Sequence, residues 1–582
     1  MASWNETYPR PSLKRGGNYQ ILNDGWTLNG STIQVPFPPE SKLSGFSGAL
    51  SETFCYSREF AIPDAAATCV KTGGHLLLYI GACDQTCTVF ADDEQVGHSE
   101  LGYFTLTCDL SVVARRALES GKRSIHLRIE GEDHLDHVKP YGKQRKDRGG
   151  MWYTQVSGIW QTVWCEWVSD AYISSFSYDI AVNPSGEVTV GFDLSVSGAP
   201  VIPNGAVLQE SFKDPTESIH AVISLPEGDY DVAFNGTHAE FNLSKITVNN
   251  TKHQIQWWSP ENPYLYRIML QMGNDTVLSY FAVRTVRIAP AGGYKRILIN
   301  DKSVFLNGVL DQGYFQDGIF TPETPDEYTR DIMRMKELGF NMLRKHIKVE
   351  PDIFYYECDR LGMYVLQDMV NNGEYSFWHD TALATLGLKL NDTGRYPDIL
   401  KEMYFRESAY RTQDKLQNNP CVIGYTVFNE GWGQTDSDAV GDDLKARDPS
   451  RFYDYTSGWF AQKHSDVESV HIYFRNKKLK ALGLPLLLSE FGGFTREIAG
   501  HLWNTKKSYG YGKCKDEKTL TDRIIATYKK MVLPAIPRGL CGAVYTQLSD
   551  IEDEINGFYT YDREVCKVDK KRIRECMEMI HG

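Results

Sequence analysis

Two glutamates in this chain stand where a carboxylate can do chemistry. Glu430 follows the apolar run 422–428 in CVIGYTVFNEGWGQ, and Glu490 follows the apolar run in LPLLLS. Both runs are short and bounded by Asn, Pro or Gly, so they read as buried strands rather than helices. A lone Asn-Glu pair at a strand end is ordinarily a solvated terminus. Two acids in different surroundings can do more. One that stays protonated donates to a leaving oxygen, and one that stays ionised attacks carbon. Displacement with retention at the anomeric carbon of a sugar needs such a pair about 5 to 5.5 Å apart. Burial and a second carboxylate raise the acid, while cationic donors keep the nucleophile charged. Arg344, in FNMLRKH, is the expected charge partner. Tyr473 is expected to donate a hydroxyl to the same carboxylate, and Asn429 to hold the sugar 2-hydroxyl.

The elements that must position these groups alternate from about residue 290. Strands are expected at 304–310, 341–344, 363–367, 422–428, 452–456, 469–473, 485–489 and 541–547. Thr324-Pro325-Asp326-Glu327 reads as a helix start with Thr324 as N-cap, and Gly339 as its stop. Tyr328, Ile332, Met335 and Leu338 line one face of that helix. A second helix is expected from about Pro351 to Gly362. Eight strands with helices between them make a (β/α)8 TIM barrel, whose chemistry sits at the C-terminal ends of the strands. Asp311, Arg344, His346, Asp368, Asn429, Glu430, His471, Tyr473, Glu490, Gln547 and Asp550 all fall at or just past such ends. The long span 371–396, with Trp378 and His379, is expected to shape a pocket rim.

The preceding sequence is β-rich. Residues 1–170 hold alternating or apolar runs at 54–62, 75–80, 87–90, 104–110, 124–129 and 160–168, the spacing of a jelly-roll sandwich. The block 139–158, KPYGKQRKDRGGMWYTQVSG, is glycine-rich, basic and aromatic, and too long for a tight connection. It is either a functional loop or an exposed cover. Residues 171–288 fit an immunoglobulin-like sandwich, with strands at 187–196 and 279–288 and a proline-punctuated aromatic turn at 257–264. The barrel then takes 289–582. The chain has 582 residues, 42% of them hydrophobic, and a net charge of −13, which argues against nucleic acid and anionic membrane as partners. No apolar run approaches the roughly 18 residues of a membrane helix. The N-terminal stretch lacks the apolar core of a signal peptide, so a cytoplasmic location is expected. The 12 cysteines are scattered, several of them in strand-like runs, and read as reduced. Cys83 and Cys87 have no second ligand pair, so no zinc site is expected.

In its three-part order the chain resembles glycoside hydrolase family 2. The resemblance rests on FNEGWG around Glu430, LLLSEFGG around Glu490 and FNMLRKH around Arg344, and covers nearly the whole chain. It implies a retaining exo-glycosidase with Glu430 as acid/base and Glu490 as nucleophile. Asp311, Arg344, His346, Asp368, Asn429, Trp432, His471, Tyr473 and Gln547 are then expected at the substrate. The family's Arg-Thr-x-His-Tyr-Pro appears here as Arg344-Lys345-His346-Ile347-Lys348, and Tyr425 replaces a common tryptophan of the strand-four motif. The tryptophan common at the end of strand eight is absent, with Tyr545, Thr546 and Gln547 in its region. The Asn-x-Lys motif of the family's glucuronidases is not evident in INGFYTYDREVCK, which disfavours a uronic acid, although Arg344, Lys345 and Lys348 offer charge. The expectation is therefore β-galactosidase type, with α-L-arabinofuranosidase or β-glucuronidase as alternatives. An inactive carbohydrate-binding protein is the alternative of another class. The expected partner is a glycoside or oligosaccharide. No cofactor and no metal are expected, and a homo-oligomer is left open.

Overall fold

The structure is a computed structural model describing residues 2–197, 219–383, 391–392, 398–473 and 476–581. The N-terminal part is a sandwich of two antiparallel sheets. The four-stranded sheet orders Tyr19–Ile21, Val163–Val168, His75–Ile80 and Leu106–Asp109. The six-stranded sheet orders Ser31–Ile33, Trp26–Leu28, Thr53–Ala61, Ser124–Glu132, Thr86–Ala91 and Glu94–Ser99. Along Thr53–Ala61 and Ser124–Glu132 buried and more exposed residues alternate, because one face meets solvent. Phe60, Leu127, Leu78 and Val163 are among the side chains that fill the space between the sheets. Two helices, Asp64–Lys71 and Ser111–Glu119, were not foreseen; each turns a short Ala/Val face into this core.

The second sandwich has a three-stranded sheet (Tyr172–Val182, Val188–Ser197, His238–Asn242) and a four-stranded one (Gly228–Ala233, Ile219–Leu225, Tyr266–Met272, Asp275–Phe281). The strand expected at 279–288 is corrected. Asp275–Phe281 closes this sandwich, and Val286–Ala291 opens a separate three-stranded sheet with Tyr294–Ile299 and Lys302–Ser303. The run breaks because the chain leaves one core for another. Val277 and Phe281 belong to the sandwich, while Ile297 and Ile299 join the core of the barrel. Arg296 ties the new sheet to the barrel base through the carbonyls of Ile536 and Leu540, at 2.6 and 2.7 Å.

The barrel strands are Leu306–Asp311, Met342–Lys345, Tyr364–Asp368, Val422–Asn429, Phe452–Ser457, Glu468–Ile472, Leu486–Gly492 and Leu540–Thr546, ordered sequentially with the eighth beside the first. Strands five and six meet through Asp466 N–H to Tyr453 O (3.0 Å) and Ser469 Oγ to Asp454 Oδ1 (2.9 Å). Helix Asp326–Leu338 buries Tyr328, Ile332, Met335 and Leu338 and stops at Gly339, whose φ of +96° suits glycine. The expected Thr324 cap is corrected: Pro325 precedes the first helical residue, and no side chain caps the helix. Helix Asp352–Leu361 stops at Gly362. In the long rim segment Phe377–Ala382 forms one π-helical turn, with Trp378 72% exposed; most of the remainder of 371–396 lies outside the described residues. All 12 cysteines are free, nine of them buried.

Candidate active site

The fourth strand ends at Asn429, and the chain turns at once. Glu430 has φ +53° and donates its backbone N–H to Ser457 O at 3.0 Å. Positive φ at a glutamate is uncommon and costs energy, so the fold here imposes the turn that aims this side chain. Gly431 continues it at φ +77°, and a Cβ there would lie 2.2 Å from the Phe460 ring. Glu490 sits inside the seventh strand, which runs on to Gly492, and not at its end as expected. The register with the eighth strand slips between Leu488 and Phe491, an irregularity of the kind that re-aims a side chain.

Around these acids the strand ends supply one connected network. Arg344, fully buried, donates to Glu490 Oε1 (3.0 Å), Ser489 O (3.0 Å), Asn429 Oδ1 (2.9 Å) and Asp368 Oδ1 (3.0 Å). The other Asp368 oxygen meets His346 Nδ1 at 2.6 Å. His471 Nδ1 lies 2.6 Å from Glu430 Oε1 and 3.6 Å from Glu490 Oε2, with Ser457 Oγ 3.1 Å from its Nε2. The Tyr473 hydroxyl donates to Glu490 Oε2, and its ring stacks on Tyr511 at 4.0 Å. An oxygen of each glutamate and a ring nitrogen of His471 all lie within 4.8 Å of one another.

Electrostatics fixes the charge on Glu490. Burial opposes the charge on Glu490, but positive charge at His471 and Arg344, with the Tyr473 hydroxyl donating, outweighs it and holds the pKa down to about 2. Burial likewise opposes Asp368, which Arg344 and His346 nevertheless hold low. Burial pushes His346 down, so at neutral pH its Nδ1–H donates to Asp368 and Nε2 stands as an acceptor. Asp454, buried in the fifth strand, is pushed up to about 6 by burial.

Eight of the eleven polar residues expected at the strand ends thus form one site, and three do other work. Asp311 is committed to Lys345 Nζ (2.7 Å) and Gly313 N–H (2.9 Å). Gln547 links Asn556 (2.9 Å) to Gln312 (2.6 Å). Asp550 is buried in an ion pair with Lys567 at 2.6 Å, away from the acids. Trp432 is buried, donating from its indole to Gly373 O at 2.7 Å. The charge expected of Lys345 and Lys348 toward a ligand is also corrected. Both are buried against Glu350, at 2.9 and 3.1 Å, and Lys348 donates further to the Gly313 and Phe320 carbonyls.

The sequence missed the contribution of the jelly roll. Block 139–158 is no exposed cover, because it lies across the barrel mouth. Tyr153 donates to Glu554 and accepts from Gln312 at 2.6 Å. Trp152 packs edge-on against Trp432 at 4.9 Å, and Tyr141 does so at 5.5 Å. Only the block's odd composition pointed to it. A second acid–histidine grouping, His501 with Asp562 and Glu564, is a part-exposed surface cluster.

Residues 293–485 match the family model described as the TIM barrel domain of glycosyl hydrolases family 2. Through its barrel the chain is similar to glycoside hydrolase family 2. It is 24% identical over 447 residues to a β-galactosidase of Enterobacter cloacae, covering 75% of this chain and 38% of that protein. The chain spans less than half the length of the curated relatives it matches. Among solved structures, a β-D-glucuronidase of Dictyoglomus thermophilum superposes with TM-score 0.71 at 16% identity, over 98% of both chains. A GH2 β-galacturonidase of Eisenbergiella tayi bound to galacturonate superposes with TM-score 0.66 at 15% identity, over 98% of this chain and 99% of that one. At such identities the likeness is one of fold: two sandwiches followed by a TIM barrel.

Proposed function

We propose that this protein is a retaining exo-glycosidase working by double displacement. The observation that carries the reading is the pair Glu430 and Glu490, with carboxylate oxygens within 4.8 Å and one of the two held ionised. Retaining chemistry asks for this closeness; an inverting pair stands further apart to admit water. Glu490 attacks the anomeric carbon as the leaving oxygen takes a proton from Glu430, giving a glycosyl ester on Glu490. Glu430 then takes a proton from water as that water attacks the same carbon, and Glu490 departs as carboxylate. His471 holds Glu430 Oε1, and no protein donor reaches the other oxygen among the described residues. The Asn429 amide NH2, its oxygen held by Arg344, is left for the sugar 2-hydroxyl.

For the sugar, a β-galactoside is the reading that agrees with the curated relatives. A uronide is a second reading, favoured by two cations at the mouth, Lys143 and Arg145, that have no carboxylate partner among the described residues. Retention of both glutamates, with His471 between them and Arg344 on Glu490, speaks against an inactive binding protein. The test is initial rate on a panel of 4-nitrophenyl glycosides, followed by labelling with a 2-deoxy-2-fluoro glycoside of the preferred sugar. Label on a peptide other than that of Glu490, or product of inverted configuration, would overturn the mechanism.

A further inference from the structure

We propose that Lys143, carried into the barrel mouth by the jelly roll, reads a carboxylate on the sugar, so that the preferred substrates are glycosides of a hexuronic acid. The inference rests on the glycosidase reading above. The loop that presents Lys143 is clamped on both sides. Tyr141 donates its hydroxyl to Gly373 O (2.8 Å) and its N–H to Asn371 O (3.2 Å). Gln144 is buried between Asp84 Oδ2 (2.8 Å) and Val156 N–H (2.7 Å). The Lys143 carbonyl itself accepts from Tyr153 N–H at 2.9 Å.

Held this way, Lys143 is only 9% exposed, with its ammonium 5.4 Å from the centre of the Trp152 indole. It has no hydrogen-bond acceptor and no carboxylate in ion-pair reach among the described residues. The other buried lysines around this end of the barrel are satisfied: Lys345 and Lys348 by Glu350, Lys567 by Asp550, Lys401 by Gly433 O. An ammonium on so buried a side chain, with no protein acceptor among the described residues, is suited to a ligand carboxylate, which supplies one. Lys143 lies on the wall that Trp152 forms against Trp432, 4.9 Å away, in the loop that follows the fourth barrel strand. Its charge acts on His346 and on Glu554, and Glu490 acts on the same two groups. Glu554 lies outside ion-pair reach of Lys143, and its two oxygens accept instead from the Tyr153 hydroxyl and, at 2.8 Å, from Asn556. Arg145, over the same Trp152 ring at 4.1 Å and over Tyr375 at 5.4 Å, adds a second cation with no carboxylate partner among the described residues. Neutral donors suffice for a sugar hydroxyl, whereas two unpaired cations on one aromatic wall suit an anion.

The experiment compares kcat/KM on 4-nitrophenyl β-D-galacturonide, β-D-glucuronide and β-D-galactoside for wild type, Lys143→Met and Lys143→Arg. Wild type should prefer one of the uronides. Lys143→Met should lower the uronide-to-galactoside ratio about 10- to 100-fold, mostly through KM, the range of one charge-assisted hydrogen bond. Lys143→Arg should restore much of that ratio. A wild type that turns over the galactoside and neither uronide overturns the inference and leaves the glycosidase reading standing. So does a ratio that Lys143→Met leaves unchanged, the mark of a merely structural lysine. Should no glycoside be turned over, the mechanism fails, and binding decides the inference. Calorimetry of the Glu490→Gln protein with D-galacturonate, D-glucuronate and D-galactose should then show uronate binding that Lys143→Met removes; no such binding overturns it.

Discussion

Arg344→Met tests the charge arrangement at its centre. Arg344 Nη1 lies 3.0 Å from Glu490 Oε1, both groups are buried, and the Glu490 pKa sits at about 2 against an ordinary 4.5. A neighbouring arginine lowers a carboxylate by about 1–3 units, or about 1.4–4 kcal/mol. Removing it should bring Glu490 up to somewhere between about 3 and 5, with His471 and Tyr473 still in place. A protonated nucleophile is inactive, so the variant should lose kcat/KM as pH falls through that range. In wild type, by contrast, Glu490 stays ionised down to about pH 2. The sign for stability is the same: a depressed carboxylate stabilises the fold above its unfolded pKa and loses that contribution as pH falls toward 2. The full depression corresponds to about 3 kcal/mol. The assay is the pH dependence of kcat/KM from initial rates after pH jumps, with a thermal melt of each protein. Stranding Asp368 and Glu490 costs about 3–5 kcal/mol, so the melt must show that the variant is folded at the assay temperature. Tyr473→Phe, which removes one donor and no charge, should move the acid limb the same way by less than about 1 unit. Folded Arg344→Met with an acid limb superimposable on wild type would refute the reasoning.

Glu490→Gln should abolish turnover while its thermal melt and circular dichroism stay native; substantial residual rate would remove Glu490 from the mechanism. Glu430→Gln should slow alkyl glycosides about 10²- to 10⁴-fold, the range of general acid–base catalysis. Nitrophenyl glycosides, whose leaving group needs less help, should keep a faster first step, seen as a burst of nitrophenol that added azide turns over. Equal losses for both leaving groups would argue against the acid role. Gly458→Ala places a Cβ 2.5 Å from His471 Cγ at φ +87°, so the ring that holds Glu430 must move. A displacement near 1 Å predicts about a 100-fold fall in kcat with a smaller change in KM; wild-type kcat would mean that His471 does not position the acid.

Much of the barrel was legible because its signals are local. Strands buried on both faces are continuous apolar runs, as at Val422–Asn429, and the helix at Asp326–Leu338 carries its period and its terminal glycine in the sequence. Glu430 just past one apolar run and Glu490 just past another, with Arg344 and His346 at the end of a third strand, were visible for the same reason, although the structure carries the seventh strand on beyond Glu490. What stayed hidden depends on partners far apart in the chain. Whether Lys345 faces a ligand or a glutamate turns on Asp311 and Glu350, and Asp550 is removed from the site by Lys567. A strand-end position tells where a side chain starts, and the low dielectric of the interior decides what it must pair with. The same holds for block 139–158. Its sequence gave only an unusual mixture of glycine, base and aromatic. Packing of Trp152 against Trp432, from residues far apart in the chain, made it a wall of the site, and among the described residues no carboxylate stands in ion-pair reach of Lys143 there.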